Sequence, residues 1–471
     1  MDINAARNMT GGLPFSTISY LGILACMLIA PEQATAVPSF AAQTGMPCTA
    51  CHVGAFGPQL TPYGRTFKLD GYTVSGGSGL ASEVPLSAML LGSYTNTNRN
   101  QPGPASENFG SNGNFAMDQI SVFLAGRVND HLGAFIQGTY DGVANQEFVD
   151  NADIRLVTTA QIWGHDEDVG LSLNNSPGLS DPYNSTYPFG FEFAASALAL
   201  APNAGTILGG SLAGNSLGLN AYAWVDQHIY LDVGVYDTQA PGLMKIFGEA
   251  YGPGSETASA PYARAVYDWN WGDNNAHLGG AVFVSRFNPA IDVRSVNGTY
   301  GHDSYTDLFL DSGYQLLRDD NSITLAGHYD YETQNLHGSS AAQSPYQASS
   351  QPHNNLSEMR ATATYYYLQT YGATVSWERL WGKQNQLLYN TGANDGTGSA
   401  NGSPDSNDVV LEADWVPFGK QDSWAKPFAN LKLGVQYTIY TQFNGGGQNY
   451  DGFGRSASDN DTLYLFAWTI F

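Results

Sequence analysis

From about Ser87 to the last residue the chain repeats one pattern: roughly ten residues of alternating apolar and polar character, then a polar break. Ile323, Leu325, Gly327, Tyr329 and Tyr331 alternate with Thr324, Ala326, His328, Asp330 and Glu332. Ile120, Val122 and Leu124 alternate with Gln119, Ser121 and Phe123, and Val409, Leu411, Ala413 and Trp415 with Val410, Glu412 and Asp414. A period of two sends the two sets to opposite faces of a strand. One face suits lipid and the other a polar lumen. Sixteen such strands can be marked: 87–97, 116–128, 132–141, 151–164, 168–174, 217–226, 229–238, 260–271, 277–287, 304–317, 322–334, 356–368, 373–384, 407–417, 429–442 and 461–471. The number is even, as bacterial barrels require.

The breaks mostly alternate in length. Short ones fall at 129–131, 164–167, 227–228, 272–275 and 318–321; long ones at 98–115, 175–216, 239–259, 288–303, 335–355, 385–406 and 443–460. Short periplasmic turns and long outer loops place both ends of the barrel region on the periplasmic side. The apolar run 191–200 inside the longest break is expected to be a loop folded into the lumen, because one more strand would make the count odd. The last strand ends on an aromatic residue, Phe471, a familiar mark of outer-membrane barrels.

Composition agrees. The chain has 54 Gly, 28 Tyr, 22 Phe and 9 Trp, with only 13% charged residues, against about 25% in soluble domains. The net charge of −24, from 42 acidic and 18 basic residues, argues against nucleic acid, which needs clustered Lys and Arg. Residues 1–36 read as a secretory signal, with Arg7, an apolar core over Tyr20–Ala30 and an Ala34-Thr35-Ala36 cleavage site. Acylation at Cys26 is the poorer alternative, since apolar residues continue past it. No later stretch has the ~18 apolar residues of a membrane helix.

Cys48-Thr49-Ala50-Cys51-His52 is a C-x-x-C-H run, the attachment signature of a c-type haem. On a helix starting near Pro47, all three side chains would share one face. The thiols would then bond the haem and His52 would be the proximal iron ligand. A second helix is expected from Thr61-Pro62 through Leu69, ending near Gly71. Phe56, Leu60, Tyr63, Phe67 and Tyr72 are the expected porphyrin wall, and Arg65 and Lys68 are candidate propionate partners. Met46 belongs to the proximal side, so the distal candidates are Met89, Met117 and His328, or none. Residues 37–84 are too few for an independent core. The expectation is therefore an all-β transmembrane barrel of about sixteen antiparallel strands over 85–471, with a small helical haem segment as its plug.

Two stretches resemble the fused outer-membrane monohaem cytochrome–porins of iron-oxidising bacteria. One is Gln43–His52 with Gly57–Tyr72; the other is Leu171–Pro177 with Asp181-Pro182-Tyr183-Asn184, where Trp would be expected at Tyr183. The resemblance implies one covalent haem c on Cys48, Cys51 and His52. It also implies oxidation of extracellular Fe(II) and electron delivery to a periplasmic cytochrome c or copper protein. The expected activity is thus a metal-ion-oxidising oxidoreductase in outer-membrane lipid. Outer-loop acids Asp395, Asp405, Asp451, Asp459 and Asp461 are candidates for holding Fe(II), which takes carboxylate and water oxygens. The rival expectations are an outward conduit to extracellular acceptors and a diffusive porin whose haem acts as a sensor.

Overall fold

A computed structural model describes residues 39–471, except 163, 187–193, 212–215, 239–254, 257–258, 289–300, 343–348, 391–394, 421 and 426–428. The signal expected over 1–36 lies outside the described residues.

The strands are β1 (Leu86–Thr97), β2 (Asn114–Arg127), β3 (Leu132–Asp141), β4 (Gln146–Ile162), β5 (His165–Asn174), β6 (Ser216–Val225), β7 (Ile229–Thr238), β8 (Ser255–Glu256), β9 (Ala260–Trp271), β10 (Asn274–Asn288), β11 (Asp303–Leu317), β12 (Asn321–Asn335), β13 (His353–Tyr367), β14 (Tyr371–Gly382), β15 (Ser406–Trp415), β16 (Asn430–Gln442) and β17 (Thr462–Ile470). The two-residue β8 pairs with the end of β10. The other sixteen pair antiparallel with their neighbours, and β1 pairs with β17, closing the barrel. Closure leaves none of these sixteen strands as an edge. Phe471 completes the seam by exchanging two backbone hydrogen bonds with Ala88, of 2.6 and 2.9 Å.

The alternation decides the faces. Along β12, Ser322, Thr324, His328, Asp330, Glu332 and Gln334 are buried toward the lumen, while Leu325 faces out. Leu278, Leu308, Leu310 and Val233 are likewise exposed on the outside. Near the short turns the outer face carries Tyr267, Trp269, Trp271, Tyr365, Tyr367, Tyr371 and Trp415, the aromatic girdle that marks a membrane boundary. None of the helices among the described residues is long and apolar enough to cross a membrane.

β4 begins earlier than its sequence pattern suggested, so the β3–β4 connection shrinks to a tight turn, with Asp141 Oδ1 accepting from Val143 N and Ala144 N. The part of the 191–200 run that is described, 194–200, forms no strand; Gln436 donates to the Ala194 carbonyl at 3.0 Å from the lumen wall.

The segment before β1 fills the short-turn end. It contains helices Ser39–Thr44, Cys48–Cys51 and Pro62–Leu69. Its contacts run around the circumference: Ser39 to Ala125 on β2, Tyr72 to Asp153 on β4, Arg65 to Asn275 on β10 and to Gln315 on β11, and Gly54 to Gln369 in the β13–β14 turn. Asn430 at the start of β16 donates to Ala55. A chain too short to bury its own core borrows the barrel wall as its second layer.

Candidate functional site: an apolar cavity holding Cys48, Cys51 and His52

Cys48–Cys51 is a single helical turn, and His52 closes its last hydrogen bond, His52 N to Cys48 O at 2.9 Å. His52 itself is extended (φ −120°, ψ 134°), not helical as the spacing suggested. The cause lies downstream. Val53 N donates to Gln59 O and Thr61 N to Cys51 O, so residues 52 and 60 pair as a short antiparallel bridge. The turn between them needs positive φ at Gly54, Ala55 and Gly57. Thr61 caps the next helix by accepting from Gly64 N and also donates to Ala50 O at 2.5 Å, tying the two helices together. Gly64 permits the contact, since a Cβ there would overlap the Cys51 carbonyl.

The result is a cavity of about 1280 Å³ of empty space, open solvent at its mouth included. Cys48, Cys51 and His52 all line it, with Phe40, Phe56, Phe67, Tyr72, Phe123, Phe135 and Trp468. Phe56 and Trp468 meet edge to face at 5.0 Å, joining plug to barrel. Of the expected wall, Phe56, Leu60, Phe67 and Tyr72 line the cavity; Tyr63 points away and is exposed.

This lining has what a covalent haem needs. Two thiols and one imidazole open on a single aromatic space. His52 Nδ1 is buried with no hydrogen-bond partner, while the ring also bonds the Gly57 backbone, an outer anchor of the kind iron-bound imidazoles use. Burial pushes the imidazole down to about 4, the Gly57 bond opposing, so it is neutral. Burial, and then Cys48 beside it, pushes the Cys51 thiol up to about 12.

The remaining candidates separate. Lys68 lines the cavity and donates to Leu179 O at 2.5 Å and Asp181 O at 3.0 Å. Burial, and next Arg155, lowers it to about 8. Arg65 turns to the wall instead, where Asn275, Gln315 and Asp268 receive its guanidinium and Tyr183 stacks beneath it at 5.0 Å. Met89 lines the cavity. Met117 does not: it is 46% exposed on the outer face. A register shift between β1 and β2 skips Asp118 and reverses the faces beyond it. His328 lies elsewhere, bonded to Glu358 at 3.2 Å.

The second family-like stretch forms the ceiling. Asn184 donates to Pro58 O, and Leu179 and Asn184 line the cavity, so the β5–β6 connection descends through the lumen onto the plug. Beyond Leu60 and Asn184 lies a polar vestibule of about 630 Å³ of empty space, lined by His277, Asp311, His328 and Thr324. The two spaces share Leu60 and Asn184 as a common wall.

The five loop acids are used locally. Asp395 accepts from Thr397, Asp405 from Gly382 N, Asp451 from Phe453 N and Arg455 N, Asp459 from Arg99, and Asp461 from Tyr440 N. The acids missed by sequence reasoning face the lumen. Asp307 and Glu332 are paired across β11 and β12, with Asp330 one lumen position away. Ion pairs of this wall join Arg264 to Asp311, and Arg360 to Glu358 and Glu378; among the described residues none reaches Asp307, Asp330 or Glu332. Ile207 N donates to Glu332 at 2.6 Å and Leu208 N to Asp307 at 3.4 Å, so the descending connection also crosses this group. Alternation had already put Asp330 and Glu332 on the polar face; the cross-strand register that adds Asp307 is not visible in the sequence.

No family model matches the chain, and no curated relative matches it. Among solved structures, a Salmonella typhi OmpF complex with daunomycin overlaps 82% of this chain and 97% of its own at 13% identity and a TM-score of 0.46. In-vitro folded OmpT of Vibrio cholerae overlaps 82% and 96% at 10% identity and a TM-score of 0.40. The outer membrane channel DcaP of Acinetobacter baumannii gives 82% and 96% at 11% identity and a TM-score of 0.41. At these scores the likeness adds nothing to the strand pairing already described.

Proposed function

We propose that this chain is an outer-membrane electron-transfer protein that oxidises extracellular Fe(II) and hands the electrons to a periplasmic cytochrome c or copper protein. One observation carries the reading: a C-x-x-C-H segment plugs the short-turn end of a closed barrel, with Cys48, Cys51 and His52 all lining one apolar cavity. A haem c bound there supplies a one-electron couple. Cys48 and Cys51 would hold it covalently, His52 would ligate the iron, and Lys68, which keeps one N–H beyond its bonds to Leu179 O and Asp181 O, is the cavity cation available to a propionate. Arg65 is not, because the barrel wall holds it.

The apolar girdle suits the outer membrane. Lumen acids without basic partners raise the local concentration of a divalent cation when they are ionised. Leu60 and Asn184 stand between that cation and the apolar cavity. Each Fe(II) oxidised yields one Fe(III) and one electron, and ferric iron is poorly soluble near neutral pH. A plugged barrel keeps the ferric product outside.

Purified full-length protein mixed anaerobically with Fe(II) tests this. Appearance of the reduced haem spectrum is expected; no reduction at any accessible pH overturns it. A strongly negative midpoint potential would favour the outward conduit, and passage of small sugars in liposome swelling would favour a diffusive porin.

A further inference from the structure

We propose that Met89, on the barrel wall, supplies the second axial ligand to the haem iron, so that the redox centre is built jointly by plug and barrel. This rests on the haem reading above.

His52 can occupy one axial position, and a donor for the other must come from the same cavity. Most polar side chains there are committed. Lys68 donates to two carbonyls, Tyr72 OH to Asp153 at 2.7 Å, Asn184 to Pro58 O, Asn430 to Ala55 O and Thr44 to Phe40 O. Two thioethers are left in the lining, Met46 and Met89. A thioether needs no hydrogen bond when buried, and it is a soft, accepted ligand for haem iron.

The two differ in setting. Met46 is 37% exposed and precedes Cys48 by a single proline, just before the helix that carries the thiols. Met89 is 3% exposed and comes from a different element, on the lumen face of β1 between Ser87 and Leu91. It packs in the cluster that contains Val53, Ala55 and Phe56 of the plug and Phe123 and Trp468 of the barrel.

The experiment uses the full-length folded protein as wild type, Met89→Leu, Met89→His and Met46→Leu. Leu nearly conserves volume, so the barrel wall stays filled. Alkaline pyridine spectra of each report whether haem is covalently attached, independently of its axial ligation. Native spectra and carbon monoxide binding report the sixth position. Wild type is expected to be low-spin, with the sulfur-to-ferric charge-transfer band. Met89→Leu is expected to lose that band, become high-spin and bind carbon monoxide when reduced, while keeping its covalent haem. Met89→His is expected to return to low spin at a lower potential, and Met46→Leu to match wild type.

A low-spin Met89→Leu protein that excludes carbon monoxide overturns the proposal, as does a high-spin Met46→Leu protein beside an unchanged Met89→Leu. Wild type without covalent haem overturns the haem reading itself, and this assignment with it. Should Met89→Leu fail to fold, Met89→His decides alone: a wild-type sulfur band in that variant overturns the assignment.

Discussion

The two spaces on either side of Leu60 and Asn184 are opposites. One is walled by aromatic rings, two thiols and an imidazole that burial keeps neutral. The other is lined by His277, Asp311 and His328, and lies on the lumen wall that also carries Asp307, Asp330 and Glu332. A hydrated divalent ion is less disfavoured in the second than in the first, where its water would be stripped without replacement ligands. On the proposed reading the wall between them sorts by what can cross, because an electron needs no hydration shell. The sorting depends on position as much as on composition, because the same side chains in a free domain would leave the apolar space open to solvent from all sides.

On the proposed reading the contrast breaks most completely if the apolar space cannot attach its haem. Cys48→Ala with Cys51→Ala is expected to abolish covalent haem, read by haem staining, while the barrel keeps its heat-modifiable gel mobility. Next is the docking of the plug on the barrel. Gly54 has φ +67°, and a Cβ there would sit within the Tyr366 ring. Gly54→Val should weaken plug docking by about 1–3 kcal/mol through overpacking, measured as new permeability to small sugars in liposome swelling. A smaller effect tests the polar side. Asp307→Asn with Asp330→Asn and Glu332→Gln is expected to raise the Fe(II) concentration for half-maximal haem reduction severalfold, with the gap narrowing as salt rises. The haem spectrum should stay unchanged. The smallest is Asp459→Asn on the outside: its 3.0 Å pair with Arg99 is largely exposed, so stability should change by less than about 1 kcal/mol and Fe(II) kinetics not at all.

Nearly all of the barrel was legible because a lumen and a lipid face impose period two on every strand. Even so, one extra residue defeats the method. Met117 shares parity with Ser121 and Phe123, and only the shift at Asp118 sends it outward. The site was legible where structure is local: Cys48, Cys51 and His52 border one space as their spacing suggests, and Thr61-Pro62 starts its own helix. It was illegible where partners lie far apart in sequence. Arg65 looked free for a propionate because nothing nearby reveals Asn275 and Gln315, which are 210 and 250 residues away. His52 looked helical because spacing says nothing of the bridge to Leu60. Loop acids drew attention because they are exposed in a linear reading, yet turns and caps consume them.

The strands that close the barrel have a second property. Met89 on β1 lies directly opposite Ile470 on β17, and Leu91 opposite Trp468. Met89, Ile470 and Trp468 all border the apolar space. The join between the two ends of the sheet is thus backed from inside by the very segment that leads into it. In a stone arch the last block set is the one that locks the rest; here the first residues of the described chain play that part, and the circle closes around its own beginning.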